Sequence, residues 1–209
     1  IVLAEYAQTR FGTYCASAGA DHVVPRDARL DTLRELLRSL LPSPVVSTTQ
    51  PAEVELERQG ALASYAVMDT PPEREFDEIV RLASLVCNTP IALLTLLDAD
   101  RQWFKARVGL DVESTPRNIS FCDHAIRSDQ VMVVGDALAD DRFRDNPLVV
   151  AEPKIRFYAG APLIDSDGHA LGTLCVIDHV PRTLSPLRSQ MLEILANQVV
   201  ARLELRRQF

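Results

Sequence analysis

The stretch FYAGAPLIDSDGHALGTLCVIDH, which runs from Phe157 to His179, predicts the central hairpin of the fold. Two runs rich in Leu, Ile, Val, Cys and Thr flank the turn at Asp165–Gly168, where a glycine can adopt positive φ without steric cost. Both arms carry apolar side chains at successive positions, which is typical of a sheet covered on both faces. We therefore expect a long antiparallel hairpin with other elements packed above and below it.

The composition is that of a globular, acidic protein. The 209 residues are 47% hydrophobic with a mean hydropathy of +0.01, which suffices for one good core and part of a second domain. The net charge of −7 and the pI near 5.1 argue against a nucleic-acid partner, because phosphate neutralisation needs clustered Lys and Arg. No apolar run is long enough to cross a bilayer, so we expect a cytoplasmic protein without membrane contact.

Neither the cysteines nor the acidic pairs predict a metal site. The cysteines at positions 15, 87, 122 and 175 lie far apart without zinc-ligand spacing, and we expect them to be buried and reduced. None of the acidic groups continues to the bidentate glutamate of a calcium-binding EF-hand loop. We interpret them as turn formers whose carboxylates accept hydrogen bonds from nearby backbone amides; they are Asp98, Asp100, Asp140, Asp141, Asp145, Asp165 and Asp167.

The first 42 residues predict a strand, a helix, a second strand and a second helix, the pattern of a parallel α/β unit. Within them, AGADHVVPRDARLDTLRELLRSLL at Ala18–Leu41 resembles the last third of a response-regulator receiver domain. The resemblance aligns Arg26 with the lysine that contacts the phosphoryl group in that family, and Ala4 with a hydroxyl residue. Since the chain starts at Ile1 on an apolar run, we interpret it as a piece of a longer protein.

The remaining residues predict a linker and a second domain. Residues 43–56 are rich in Ser, Thr, Pro and Val, which is typical of a linker, and residues 57–209 form the second domain. Its periodicity predicts helices, then a hairpin at Pro90–Val108, a loop at Gly109–Ile119, a short helix at Phe121–Ile126, a strand at Val131–Val134, a covering segment at Asp140–Lys154, the central hairpin and a terminal helix after Ser185. The fold class is α+β, with one antiparallel sheet between helices and a capping segment.

Five ordered motifs in this second domain resemble those of GAF domains, in the subgroup found beside histidine kinases, PAS domains and diguanylate cyclases in bacteria. They are DADRQWFKARVGL at Asp98–Leu110, PRNISFCDHAI at Pro116–Ile126, DALADDRFRDNPLV at Asp136–Val149, FYAGAPL at Phe157–Leu163 and LGTLCVID at Leu171–Asp178. The resemblance implies a sheet with helices on one face and loops and short helices over a small-molecule pocket on the other. It also implies a sensory or regulatory function.

We expect the ligand pocket to draw on aromatic, charged and sulfur-containing side chains. Trp103 suits a pocket rim, since an indole can stack on a planar ligand, and Arg142 and Arg156 are candidates for pairing with an anionic group. Cys122 and His124 place a thiol close to an imidazole. The full candidate set is Trp103, Phe121, Cys122, His124, Asp136, Arg142, Phe143, Arg156, Tyr158 and Cys175.

Three functions remain open from the sequence. The first is a sensor that binds an unknown small molecule and relays it to an output module of the histidine kinase or cyclic-dinucleotide type in the same protein. The second is a ligand-free dimerisation spacer, and the third is a thiol-based reductase of free methionine sulfoxide, for which Cys122 and Cys175 would have to meet. We expect no enzymatic activity in this piece, and no bilin, because residues 150–154 contain no cysteine. Helices at Glu53–Tyr65 and Ser185–Gln208 are expected to form a homodimer.

Overall fold

The computed structural model of the chain describes residues 2–4, 23–25 and 51–207, and divides into two compact units, residues 1–49 and 50–209. In the first unit, strands β1 (Val2–Ala4) and β2 (Val23–Pro25) pair in parallel, as the sequence pattern predicts. The rest of the predicted receiver-like segment and residues 43–50 of the predicted linker lie outside the described residues. Residues 51–56 of that linker are helical.

The second unit is the predicted α+β domain. Its elements, in chain order, are helices α1 (Pro51–Ser64) and α2 (Arg74–Cys87), strands β3 (Ile91–Leu97), β4 (Arg101–Val108) and β5 (Ser114–Pro116), a 3-10 turn (Arg117–Ile119), helix α3 (Phe121–Ala125), strand β6 (Met132–Val134), helix α4 (Pro147–Val150), strands β7 (Phe157–Ile164) and β8 (Ala170–Asp178), and helix α5 (Pro186–Arg207). None of the helices that the structure describes is long and apolar enough to span a membrane.

A single antiparallel sheet of six strands forms the centre of this unit, in the order β5-β4-β3-β8-β7-β6. The predicted central hairpin is confirmed as β7 and β8, and β8 lies inside the sheet between β3 and β7. In its turn, Gly168 has φ +91°, and the Asp165 carboxylate accepts hydrogen bonds from the backbone N–H groups of Asp167 and His169. Gly172 in β8 is required because a Cβ there would collide with the carbonyl oxygen of Thr95.

Both faces of the sheet are buried, as the apolar runs of the hairpin predict. Helices α1, α2 and α5 cover one side, here called the helix face, where α5 contributes Leu192, Ala196, Val199 and Leu203. Helix α3, helix α4 and the intervening loops cover the opposite side, here called the loop face. Successive strand residues point to opposite faces, so β3, β4, β7 and β8 each supply both cores.

Strand β5 is an addition to the predicted elements, since residues 109–119 were expected to form a loop. Ser114–Pro116 has no apolar alternation, and its three residues pair with Arg101–Trp103 at the edge of β4. Such a strand arises from the edge to which it is hydrogen-bonded, which local sequence does not reveal.

Candidate functional site

The loop face brings together five of the ten predicted site residues. Phe121 and Cys122 from α3, Phe143 from the following loop, Tyr158 from β7 and Cys175 from β8 are all buried in one apolar core. They meet because α3 lies directly over the β7–β8 hairpin. The structure thus brings these five predicted residues together as core side chains, and their binding of a ligand stays a prediction.

Aromatic rings fill this centre. The rings of Phe121 and Phe143 stack with centroids 4.0 Å apart at an interplanar angle of 12°, and those of Phe121 and Tyr158 lie 5.2 Å apart at 29°. His124 meets Phe143 edge-on at 4.9 Å, and the Arg142 guanidinium lies 5.0 Å from the Phe143 centroid. We call Phe121, Phe143 and Tyr158 the aromatic cluster; it occupies the space where the sequence predicted a ligand.

The sulfur of Cys122 is surrounded by hydrogen-bond donors. It accepts from the Thr173 hydroxyl at 3.1 Å and from the Tyr158 hydroxyl at 3.4 Å, and it lies 4.0 Å from the sulfur of Cys175. Burial raises the pKa of Cys122, but these groups together with Thr95 outweigh burial and hold that pKa below its ordinary value. The hydrogen bond with Cys122 and burial raise the pKa of Cys175 well above its ordinary value.

The predicted charged residues are engaged by the protein itself. Arg142 forms a two-pronged salt bridge to Asp140, with N–O distances of 2.9 and 2.7 Å, and Arg156 donates to the carbonyls of Val149 and Ile155. The Asp136 carboxylate accepts from the backbone N–H of Leu138. Arg142, Arg156 and Asp136 therefore already have partners within the protein. Burial, followed by the charge of Arg127, lowers the pKa of His124.

Trp103 does not join the other predicted site residues. It belongs to the helix-face core, whereas its neighbour Phe104 belongs to the loop face. Trp103 lines a separate surface groove of about 410 Å³ together with Lys105 and Arg107. The Lys105 ammonium already binds the Thr70 hydroxyl, the Pro71 carbonyl and the Glu73 carboxylate at 2.6 to 2.7 Å.

An apolar cavity of about 330 Å³ lies on the loop face beside the aromatic cluster. None of the ten predicted residues lines it. Its walls come mainly from strands β3, β4 and β8 and from the segments at 110–112 and 148–155. Three lining residues are polar: Gln102, Thr115 and Glu152. The others are apolar; they are Ile91, Leu93, Phe104, Leu110, Val112, Leu148, Pro153, Ile155 and Ile177. Strand alternation is the sequence pattern that could have identified part of this lining, because it puts Ile91, Leu93 and Phe104 on one face of the sheet.

A chain of hydrogen bonds connects this cavity with helix α1. Gln102 accepts from the Ser120 hydroxyl at 2.6 Å, and the Ser120 oxygen caps α3 by accepting from the Asp123 backbone N–H at 3.3 Å. Arg117 then donates to the Asp123 carboxylate at 2.7 Å and to the Glu55 carboxylate of α1 at 2.6 Å. Arg117 is thus the hub of this connection, and sequence alone could not identify it because Glu55 is 62 residues away.

Helix α1 is itself fixed to the sheet at this point. Arg58, buried in the described structure, donates to the backbone carbonyl of Leu97 at 2.8 Å and to that of Ala170 at 3.3 Å, and it pairs with Glu55. Arg58 and Arg117 bind the same Glu55 carboxylate, so a shift of Arg117 acts directly on helix α1.

One group among the described residues has the donor atoms for a metal ion. Asp165, Asp167 and His169 lie in the turn of the central hairpin, with their ligand atoms within 4.8 Å of one another. Asp165 already accepts hydrogen bonds from two backbone amides there, so its position follows from the turn.

Comparison with known proteins adds a family and a relative. The family model described as the GAF domain matches residues 71–203. Over 154 residues the chain is 47% identical to a cyclic di-GMP phosphodiesterase of Pseudomonas aeruginosa. The matched segment covers 72% of this chain and 26% of that protein. The chain therefore spans about a quarter of the length of this curated relative.

Solved structures share the fold at low sequence identity. The GAF domain of a phosphoenolpyruvate-protein phosphotransferase from Coxiella burnetii is 16% identical with a TM-score of 0.56, covering 76% of this chain and 97% of that one. The free methionine-R-sulfoxide reductase from Neisseria meningitidis, in complex with its substrate, is 20% identical with a TM-score of 0.53, covering 75% and 90%. At these identities the likeness shows the fold alone.

Proposed function

Since this chain belongs to the GAF domain family, a family of sensory and regulatory domains, we propose that residues 51–207 bind a small, uncharged, mainly apolar molecule and relay its presence through α1 to an output module. The apolar cavity on the loop face is the observation that carries this proposal. Its volume of about 330 Å³ lies at the small end of the range of about 300–1,000 Å³ that is usual for ligand sites.

The lining of the cavity favours a neutral ligand. Gln102 and Thr115 are already hydrogen-bonded to each other at 2.6 Å, and Glu152 is an exposed carboxylate. The lining that the structure describes contains no cationic side chain, and Glu152 is already paired with Lys154 at 3.1 Å, so an anion entering the cavity would lose its hydration without a partner of opposite charge. A neutral apolar molecule would instead exchange contact with water for contact with Leu, Ile and Phe side chains.

The relay would run along the hydrogen bonds that join the cavity wall to α1. A ligand that displaces Gln102 alters the cap that Ser120 provides to α3, and thereby the position of the Asp123 carboxylate that Arg117 holds. Arg117 contacts Glu55 directly, so two arrangements of α3 correspond to two environments for α1. Ligand binding would shift the population between them.

The first experiment measures binding of indole, a neutral apolar probe, by ligand-observed NMR on the purified 209-residue chain. We expect indole to bind wild type, and Val112→Trp to abolish binding because a tryptophan at the cavity wall fills it. Val133→Trp is the matched control, since Val133 lies on β6 at the opposite edge of the sheet and is similarly exposed (41% against 48%).

Binding that survives Val112→Trp would contradict the proposed site. Absence of indole binding, together with a native mass that is twice the denatured chain mass with nothing added, would instead favour a ligand-free dimerisation spacer. That second candidate is supported by the aromatic cluster, which fills the centre of the loop face with the protein's own side chains.

The reductase alternative rests on one distance. The sulfurs of Cys122 and Cys175 are 4.0 Å apart, so a disulfide between them needs an approach of about 2 Å, and neither residue lines the apolar cavity. It stays a prediction, weaker than the sensory function because a substrate would have no described space beside the sulfurs.

The partners of the domain are proposed from its surface and from the relative. Helix α5 has a second row of residues, exposed on the side opposite its buried face and spaced alternately four and three residues apart. This spacing is that of a heptad seam, which suits a homodimer. The seam consists of Leu187, Met191, Ile194, Gln198, Ala201 and Leu205. The phosphodiesterase relative supports an output module in the same protein that acts on a cyclic dinucleotide. We further propose a cytoplasmic location and a receiver-like unit at residues 1–42.

A further inference from the structure

We infer that Cys122 and Cys175 form a redox-sensitive thiol pair, which a small peroxide such as hydrogen peroxide converts to an intramolecular disulfide. The two sulfurs are 4.0 Å apart, and a disulfide bond is about 2.05 Å long, so they must approach by about 2 Å. This function differs from ligand binding and does not depend on an occupant of the apolar cavity.

The two sulfurs can meet only if helix α3 moves. Cys175 lies in the middle of β8, which is hydrogen-bonded to β3 and β7 on its two sides, so its backbone is fixed by the sheet. Cys122 lies in a helix of five residues that is connected by loops at both ends. Formation of the disulfide therefore draws α3 towards the sheet.

Cys122 is the sulfur prepared to react first. Hydroxyl groups of Thr173 and Tyr158 point at it from 3.1 and 3.4 Å, and such donors stabilise a thiolate more than a thiol. They lower the pKa of Cys122 despite its burial, whereas Cys175 keeps its proton because its pKa is raised. The pair thus consists of an attacking thiolate and a resolving thiol.

The reaction balances with one peroxide. The Cys122 thiolate attacks one peroxide oxygen, the O–O bond breaks, and the departing hydroxide takes a proton to become water. Cys175 then attacks the sulfur of the Cys122 sulfenic acid, the S–O bond breaks as the S–S bond forms, and the Cys175 proton leaves with the hydroxyl group as a second water. Two thiols are oxidised by two electrons and one peroxide is reduced.

A small oxidant has a short route to the buried pair. Leu93, which lines the apolar cavity, is the direct cross-strand partner of Cys175 on the same face of the sheet. A peroxide that enters the cavity therefore reaches a wall residue that neighbours Cys175 on the adjacent strand. Larger thiol reagents would be excluded while the chain is folded.

Oxidation would also act on α1. Asp123 follows Cys122 in α3, and its carboxylate is held by Arg117, which contacts Glu55. A displacement of α3 towards β8 pulls on this ion-pair connection. The thiol pair would thus report oxidation through the same hydrogen-bonded path that leads from the cavity to the helix.

The test uses the full 209-residue chain with Cys15→Ser and Cys87→Ser, so that only the pair remains. The folded chain is treated with hydrogen peroxide, the peroxide is removed, and the chain is unfolded in N-ethylmaleimide for mass spectrometry and peptide mapping. We expect loss of both alkylatable thiols, a linked Cys122–Cys175 peptide, and full recovery with dithiothreitol. Cys175→Ser should leave a dimedone-reactive sulfenic acid on Cys122, and Cys122→Ser should leave Cys175 alkylatable.

Thr173→Val tests the activation of Cys122. Loss of one charge-assisted hydrogen bond should slow disulfide formation roughly tenfold at neutral pH without preventing it. The inference is overturned if both thiols of the folded chain remain alkylatable at peroxide exposures that oxidise the urea-unfolded chain. It is equally overturned if the chain with Cys15→Ser and Cys87→Ser gives sulfinic acid or intermolecular disulfides in place of the linked peptide.

Discussion

Glu55 is the residue at which helix α1 meets the chain of hydrogen bonds from the apolar cavity. Its carboxylate accepts from Arg58 and Gln59 within α1 and from Arg117 across the structure. The hydrogen bond from Arg58 lowers the pKa of Glu55, burial opposes it, and Arg117 lowers it further, so the folded-state pKa lies well below its ordinary value. This carboxylate with two arginine partners is thus charged at neutral pH.

This gives a prediction for pH. Because the folded pKa of Glu55 is depressed, its stabilisation is fully present above the unfolded value of about 4.3 and is lost as pH falls towards the folded pKa. Glu55→Gln should lower the free energy of unfolding by about 1 kcal/mol at pH 7 and flatten its decline below about pH 4.3. Urea unfolding at several pH values measures this, with exposed Glu57→Gln on the same helix as control; an unchanged acid slope would contradict it.

Helix α5 has two apolar sides with different roles. Leu203 is fully buried against the helix-face core, whereas Leu205, two residues on, is 56% exposed. The buried side follows from helical spacing, and the sequence predicted it together with the Ser185 cap, whose hydroxyl oxygen accepts from the Arg188 backbone N–H at 3.3 Å.

The two leucines offer a matched test of this element. Leu203→Ala should lower the free energy of unfolding by about 2–4 kcal/mol because it leaves a cavity in a packed core. Leu205→Ala should change it by less than about 0.5 kcal/mol, as is usual for exposed positions. Denaturant unfolding at low protein concentration measures both; similar losses would mean that the exposed side of α5 is packed within one chain.

At the scale of the whole molecule, the exposed heptad seam of α5 should decide the state of association. Ile194 lies at the centre of the seam and is 52% exposed, so two copies related by a two-fold axis would bring two isoleucines together. Burial of this side is the simplest use for six residues at such regular spacing on a helix whose other side is already packed.

Ile194→Glu should convert a dimer to a monomer, because it places two like charges in an apolar seam. Light scattering at micromolar concentration measures the mass. Leu138→Glu is the control, an exposed aliphatic residue in the loop after β6 that lies outside the seam. A wild-type monomer, or a dimer that persists in Ile194→Glu, would exclude this interface.

The sequence by itself determined the elements of the second unit that depend on local pattern. Apolar runs around Gly168 specified the central hairpin, the run at Ile91–Leu97 specified the first one, and helical spacing specified the buried side of α5. It also placed Phe121, Cys122, Phe143, Tyr158 and Cys175 in one region, because the family motifs fix which segments meet.

Only the tertiary structure decided how these elements make a site. Trp103 and Phe104 are adjacent, so one of them must face each side of the sheet, and the strand register directs Phe104 to the cavity and Trp103 to the helices. The register between β3 and β4 shifts between Leu94 and Thr95, next to the point where Thr95 pairs with Phe104. Arg117 and Glu55 meet across 62 residues, and no local pattern encodes such a contact, because it arises only when α1 and α3 are both docked on the sheet.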